Sequence, residues 1–212
     1  RLSDYSAEEQ SREATHAADQ LNRLRTMSAH GLNNQETISR EMMLRQLAAS
    51  VKSYRLKEWE MPVSQMNGVH LDLASMYSQM PFHTVQDYRN YIARLRQAPR
   101  VFAQETAVMR LGMRDHLMEP RYLLEKVAVQ ANDIAASTPG KSPFAMPLAQ
   151  FPTEMRAADQ AQIRAELLSV IRQDVLPAYA RFAAFVRDTY APAGRTEPGI
   201  WALPNGKELY RN

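Results

Sequence analysis

No cysteine occurs in the chain, which removes disulfides, thiolate metal sites and a cysteine nucleophile without favouring either redox compartment. Glycine is scarce, 7 in 212 residues, and glycine-dependent chemistry is correspondingly thin. There is no Gly-x-Ser-x-Gly nucleophile elbow, and Gly140-Lys141-Ser142 does not complete a phosphate loop because Ala135 stands where the leading glycine belongs. No apolar run approaches the ~20 residues that span a bilayer. Charge of neither sign dominates: 26 Lys and Arg against 23 Asp and Glu leave +3, too little to imply a nucleic-acid partner. Of the histidines, His16, His30, His70, His83 and His116, no two share the spacing by which one helix face grips zinc. Glu13-Ala14-Thr15-His16 is a single copy of the Glu-x-x-His of carboxylate-bridged di-iron bundles, which need two copies and two further glutamates. No catalytic residue, metal ligand or cofactor is therefore assigned to this chain. It begins at Arg1 rather than Met, which is read as the loss of an upstream segment.

What the chain has in quantity is helix formers, Ala, Leu, Arg, Gln and Glu with 12 Met, so an all-α fold is expected, with helix well above the roughly one-third of an ordinary soluble domain. The organising stretch is Thr153 to Tyr190. Ile163, Leu167, Val170, Ile171, Val175, Ala178, Phe182, Phe185 and Val186 recur there at steps of three and four and mark one broad core face. At 1.5 Å per residue this helix spans about 55 Å. Pro177 interrupts it by removing a donor and pressing on the carbonyl of Gln173; since Leu176 is no N-cap, a kink is expected rather than a break.

Around it the chain reads as a single helical domain over 1–212. Ser6 and Glu9 fit a capping box opening a polar, Ala-rich helix to about Met27. After His30-Gly31, Asn33 or Asn34 caps a second helix to about Lys57 with Ile38, Met42, Leu47, Val51 and Tyr54 inward, the two forming an antiparallel hairpin. Trp59 to Met80 is a structured loop with a short helix from Leu71 to Ser78. Thr84 and Asp87 cap a helix burying Tyr88, Tyr91, Ile92 and Leu95; the next keeps Phe102, Met109 and Met113 inward, and its Gly112 allows a close crossing. Pro120 opens a helix with Leu124, Val127, Ala131 and Ile134 on one face. Five prolines and glycines between Thr138 and Pro152 predict an extended crossover burying Phe144, Met146, Leu148 and Phe151. Beyond Tyr190, Ile200 to Leu203 is short enough for a strand, giving at most one strand pair near Ile200, and Lys207 to Asn212 looks like the first turn of a further element.

The basic residues between Arg89 and Lys126 are read as a solvated outer face, because Tyr88 and Tyr91 lie on the apolar stripe and not among them. The irregular segments carry more distinctive residues. Gln65, Asn67 and His70 in the first loop are candidates for hydrogen bonds to a peptide backbone, and Trp201 is expected to anchor the second loop in the core.

Pro62-Val63-Ser64-Gln65-Met66-Asn67-Gly68-Val69-His70-Leu71 and Gly199-Ile200-Trp201-Ala202-Leu203-Pro204-Asn205-Gly206 with Tyr210, together with Phe82, Tyr88, Tyr91, Arg94-Leu95, Pro120, Ser142-Pro143-Phe144 and Leu176-Pro177-Ala178-Tyr179 in the same order, resemble the amino-terminal part of the bacterial domain-of-unknown-function family 885. The likeness runs from about Glu41 to Tyr210; the chain departs from it in having Leu209 before Tyr210, where paired tyrosines are usual, and Val69, where proline is common. The resemblance implies a mostly helical, exported or lipid-anchored protein that looks like a zinc metallopeptidase. Its metal motif, His-Glu-Ala-x-Pro-Gly-His, is not in this sequence. It therefore implies an amino-terminal fragment, not an enzyme by itself, which forms one wall of a peptide-substrate cleft and pairs with a carboxy-terminal half carrying the zinc. An independent helical scaffold or peptide-binding module is the competing reading. Exposed apolar surface, through which a severed half could form a homodimer, discriminates the two.

Overall fold

The computed structural model describes residues 2–211, so the expectation for Lys207 to Asn212 falls partly, at Asn212, outside the described residues. Helix makes up 72% of the chain and strand 1%, which bears out the all-α class. In chain order the α-helices are α1 (Ala7–Thr26), α2 (Asn34–Arg55), α3 (Val69–Ser75), α4 (Val85–Leu95), α5 (Ala98–Arg114), α6 (Arg121–Ala135), α7 (Ala157–Val170), α8 (Leu176–Phe185) and the single turn α9 (Gly206–Leu209).

The long central helix runs from α7 through α8 without a break, starting at Ala157 rather than Thr153. Pro177 is absorbed by a widened π turn, Ile171–Val175, in which the Leu176 N–H reaches back to the Ile171 carbonyl. The expected apolar face is the core of the molecule: Leu167, Ile171, Val175, Phe182 and Val186 are almost wholly buried. Against it α5 sets Phe102, whose ring lies 4.7 Å from Tyr179 and 4.8 Å from Phe182 between centroids. The crossover supplies Phe144, 5.6 Å from Tyr179. Truncating one such aromatic to alanine removes about 3–5 kcal/mol.

The crossover is not extended but wound into two 3-10 turns, Pro139–Lys141 and Pro143–Leu148. Phe144 and Leu148 are buried as expected, while Met146 is exposed. The turns present carbonyls inward, and these accept from the core tyrosines, Tyr91 to Phe144 at 3.2 Å and Tyr88 to Pro147 at 3.3 Å. These two buried hydroxyls thus have partners.

α1 and α2 form the hairpin. Asn33 and Glu36 make a full reciprocal capping box. At Ser6 only half of one forms: Ser6 accepts from the Glu9 N–H, but the Ser6 N–H goes to Asp4. The inward stripe expected on α2 is corrected in part. Ile38 and Met42 are more than half exposed, and no α2 residue is fully buried. The reason is geometric: α2 packs on α1, whose inner face is mostly alanine, and meets the body only near its end, at the 3-10 turn Glu58–Glu60. Gly112 does permit a close crossing, with that turn: a Cβ there would lie 2.4 Å from the Glu60 carbonyl oxygen.

At the carboxy end, Ile200–Ala202 is a 3-10 turn and not a strand. The parallel bridge among the described residues joins Pro120 and Arg195. Trp201 is 72% exposed, correcting its expected burial. Its ring folds back over Gly199, where an added Cβ would lie 2.2 Å from the indole, while Leu203 and Leu209 fill a small satellite core with Leu56. The anchor of this loop is Arg195, whose guanidinium donates to the carbonyls of Met118 at 2.9 Å and Gly199 at 2.8 Å.

Candidate functional site

On α5, Val101, Phe102, Val108, Met109 and Gly112 form the buried stripe, and Glu105 occupies the same register, 3% exposed. A carboxyl placed among apolar side chains loses its hydration, and with Asp72 nearby its ionised form is disfavoured twice over. Burial first, and then the Asp72 charge, push Glu105 up from 4.5 to about 8. No hydrogen bond or ion pair compensates it within the described residues. Glu105 lines a cavity of about 310 Å³ whose other polar walls are Tyr5, Gln10, Trp59, Asn67 and Asp72.

Each wall is delivered by a local device. Residues 2–5 lie as a strap along α5, where the Leu2 and Tyr5 N–H groups donate to Gln97 and Gln104, and Arg100 donates to the carbonyls of Leu2 and Ser3. Gln97, Arg100 and Gln104 stand at three and four spacing, so one helix face holds the whole strap. The strap sets the half-buried Tyr5 near Asp72 and Glu105; desolvation leads and those charges add in raising the phenol, against Arg100. Lys57, with φ +60, turns the chain into Glu58–Glu60, where Trp59 stacks on Tyr54 at 5.8 Å. The indole Nε1 of Trp59 is buried without a partner. A smaller cavity of about 140 Å³ shares Gln10 and Trp59 and adjoins Glu13 on the hairpin.

The first loop supplies the third wall. Gly68 has φ +127, and a Cβ there would lie 2.9 Å from Val63 and 3.1 Å from the Nδ1 of His70, so glycine is required by both space and backbone. Ser64 and Asn67 close the loop through Ser64 N–H to the Asn67 carbonyl at 3.0 Å and a side-chain bond at 2.5 Å. Of the three residues singled out in the sequence, Asn67 reaches the cavity. His70 points inward and is wholly buried, its Nε2 3.2 Å from Gln130, its ring stacked near Phe182 and its carbonyl accepting from Tyr179 at 2.7 Å. Burial lowers its pKa, outweighing the Gln130 bond and Asp72. Gln65 is tied from behind by Gln130, which donates to its carbonyl at 3.1 Å. Tyr5, Trp59, Asp72 and Glu105 were not singled out from sequence; the one available signal was a glutamate three residues after Phe102 and four before Met109.

A larger cavity of about 490 Å³ is lined by Arg121, Glu125 and Arg187, but its charges are already paired, Arg121 with Glu125 at 2.9 Å and Arg187 with Asp188 at 2.7 Å. The basic residues of 89–126 are likewise dispersed: Arg96 pairs with Glu166, Arg114 with Asp115, and Arg110 lies over the Phe185 ring. Among the described residues no group of three or more His, Asp and Glu side chains is disposed to hold a metal ion. No helix among them is long and apolar enough to cross a membrane.

No curated protein matches the chain. Among solved structures it is similar to the "putative lipoprotein" from Colwellia psychrerythraea, with a TM-score of 0.86 and 16% identity over 98% of this chain. The match covers 37% of that protein, so the chain spans little more than a third of its length. At that identity the likeness establishes the fold. The model of the family described as bacterial protein of unknown function (DUF885) matches residues 1–212, and the chain belongs to this family.

Proposed function

We propose that this chain is the helical amino-terminal portion of a longer envelope protein and contributes one wall of a peptide-substrate cleft, without catalytic groups of its own. The observation that carries the reading is the groove between the residue 2–5 strap, the Trp59 turn and the Asn67-Gly68 loop, in which the buried Glu105 meets no donor among the described residues and the buried Trp59 indole N–H lacks a partner. Unsatisfied buried polar groups are costly and are retained where a ligand completes them. Asn67 offers a side-chain amide to a peptide backbone, while Gln65 and His70 hold its loop from behind through Gln130. A protein of the same fold is described as a "putative lipoprotein", which supports the envelope location. In this reading, zinc and its chemistry belong to the remainder of the protein, since the residues here supply no ligand set.

Met27, Ile38, Met42 and Met43, all more than half exposed on the hairpin, form the apolar surface on which a severed half and the second reading, an independent scaffold module, divide. Sedimentation of the chain alone and of the longer protein separates the two: self-association only when alone fits a severed face. The groove itself is tested by titrating tetrapeptides carrying a carboxy-terminal fluorophore. Saturable binding weakened at least about tenfold by Asn67→Trp, with an unchanged melting temperature, is expected; equal binding by the variant removes the groove from the reading.

A further inference from the structure

We propose that the groove takes an organic ammonium group, with Glu105 as its counter-ion and Asp72 and Tyr5 completing its shell. The inference rests on the peptide-cleft reading and names what part of the peptide enters. Three observations on the groove converge. Glu105 is only 3% exposed, lines the cavity, and meets no donor among the described residues. Among the described residues, those lining that cavity include two carboxyls and no Lys, Arg or His; Arg100, whose charge acts on Tyr5, is occupied by the strap carbonyls and by Gln97 and Gln104. Two aromatic rings, Tyr5 and Trp59, stand on the walls, and rings of this kind attract cations over their faces.

An ammonium group brings three N–H donors, and the groove offers acceptors in number: the Glu105 carboxylate, the Asp72 carboxylate and the Tyr5 oxygen. The unpartnered Trp59 N–H is a donor on the same walls, suited to a carbonyl beside the amine. The groups that face Glu105 are Asp72 from α3, Tyr5 from the strap with Arg100 acting against it, and Tyr190, whose hydroxyl pKa is raised by burial first and then by the charges of Glu119 and Glu105. None is a cation aimed at Glu105. The free protein therefore holds Glu105 protonated near neutrality, and an entering ammonium makes the carboxylate the favoured form. The carboxyl loses its proton to solvent, the ammonium keeps its own, and charge balances.

An amino terminus and a lysine side chain present this same chemistry, and the test separates them. Tetra-alanine amide with a free amino terminus, the same peptide acetylated, and an acetylated peptide with one central lysine are titrated calorimetrically into the full chain near neutral pH, in two buffers of different ionisation enthalpy. The amine-bearing peptide is expected to bind at least about tenfold tighter than the acetylated one and to release roughly one proton. In Glu105→Gln both the preference and the proton release are expected to vanish. Asp72→Asn, at an exposed position and safe for folding, is expected to weaken the preference partially. Preference for the free terminus assigns the amino terminus; binding recovered by the lysine peptide assigns the side chain. Equal affinity of free and acetylated peptides, or a preference that survives Glu105→Gln, overturns the ammonium site while leaving the peptide groove standing. No binding by any of the three overturns both.

Discussion

Replacing Glu105 by glutamine should stabilise the protein, and by an amount that grows with pH. A carboxyl whose pKa is higher folded than unfolded binds its proton more tightly in the folded state. Its contribution is therefore fully present below the unfolded value of 4.5 and is lost as pH rises through about 8. With those two values, the penalty on the wild type is below about 1 kcal/mol at about pH 5 and about 4 kcal/mol at about pH 8, from 1.36 kcal/mol per pH unit between them. Glu105 is nearly free of solvent, so screening takes little from this figure. Glutamine keeps the shape and cannot ionise; the advantage of Glu105→Gln should widen by roughly 3 kcal/mol across that range. Urea unfolding of both proteins at a series of pH values measures it, and taking the difference at each pH cancels every other titrating group. A difference that stays flat, or that narrows as pH rises, would refute the placement of Glu105 in an uncompensated apolar site.

Further outcomes follow from the packing. His70 has the opposite sign: burial lowers its pKa from 6.5, so its contribution is full above that value and lost as pH falls below it, and His70→Gln should flatten the acid side of the stability profile. Gly112→Ala should lose about 1–3 kcal/mol in urea unfolding, since its Cβ would lie 2.4 Å from the Glu60 carbonyl and 2.8 Å from that of Leu117, both backbone atoms. Trp201→Ala should change stability by no more than about 0.5 kcal/mol, because the indole is exposed. Asn33→Ala should lose about 1 kcal/mol and speed hydrogen exchange in the hairpin before the rest, as both halves of its capping box disappear.

The apolar faces were legible because packing repeats. Ile163, Leu167 and Val170 are buried for the same reason that their spacing announces it, and the boxes at Thr84 and Asn33 need only neighbours three residues away. Period alone does not say how long the opposing surface is. Ile38 and Met42 have correct spacing and no body beneath them. Trp201 shows the converse error, in which size and apolarity were taken for burial, whereas its ring covers a glycine at the surface. The groove was mostly hidden. Asn67 was found because irregular segments stand out, but the inward turn of His70 depends on Gln130, sixty residues away. Tyr5 lies before the first cap, where nothing repeats. Glu105 did leave a trace, a charge in apolar register, and such a trace marks a site only when the space beside it is known to be empty of counter-charge.

The prolines of the central helix carry the argument one step further. Pro177 was expected to kink the helix rather than break it, and the chain meets it with a π turn; the same device recurs at the second proline: Val186–Tyr190 is a π turn in which the Ala191 N–H reaches Val186, and Pro192 follows at once. In both places the last amide before the proline donates to a carbonyl one residue farther back than an α-helix would use. The wide turn relaxes the ladder where the proline has no N–H to give and its ring needs room. The second turn ends on Tyr190, fully buried, its hydroxyl without a partner and within the field of Glu105. A widened turn is costlier than an α turn, and here it sets an unsatisfied hydroxyl behind an unsatisfied carboxyl. The Tyr190 ring itself packs in the core, 5.9 Å from that of Phe185, so the second π turn both accommodates Pro192 and delivers a core aromatic whose hydroxyl feels the charge on α5.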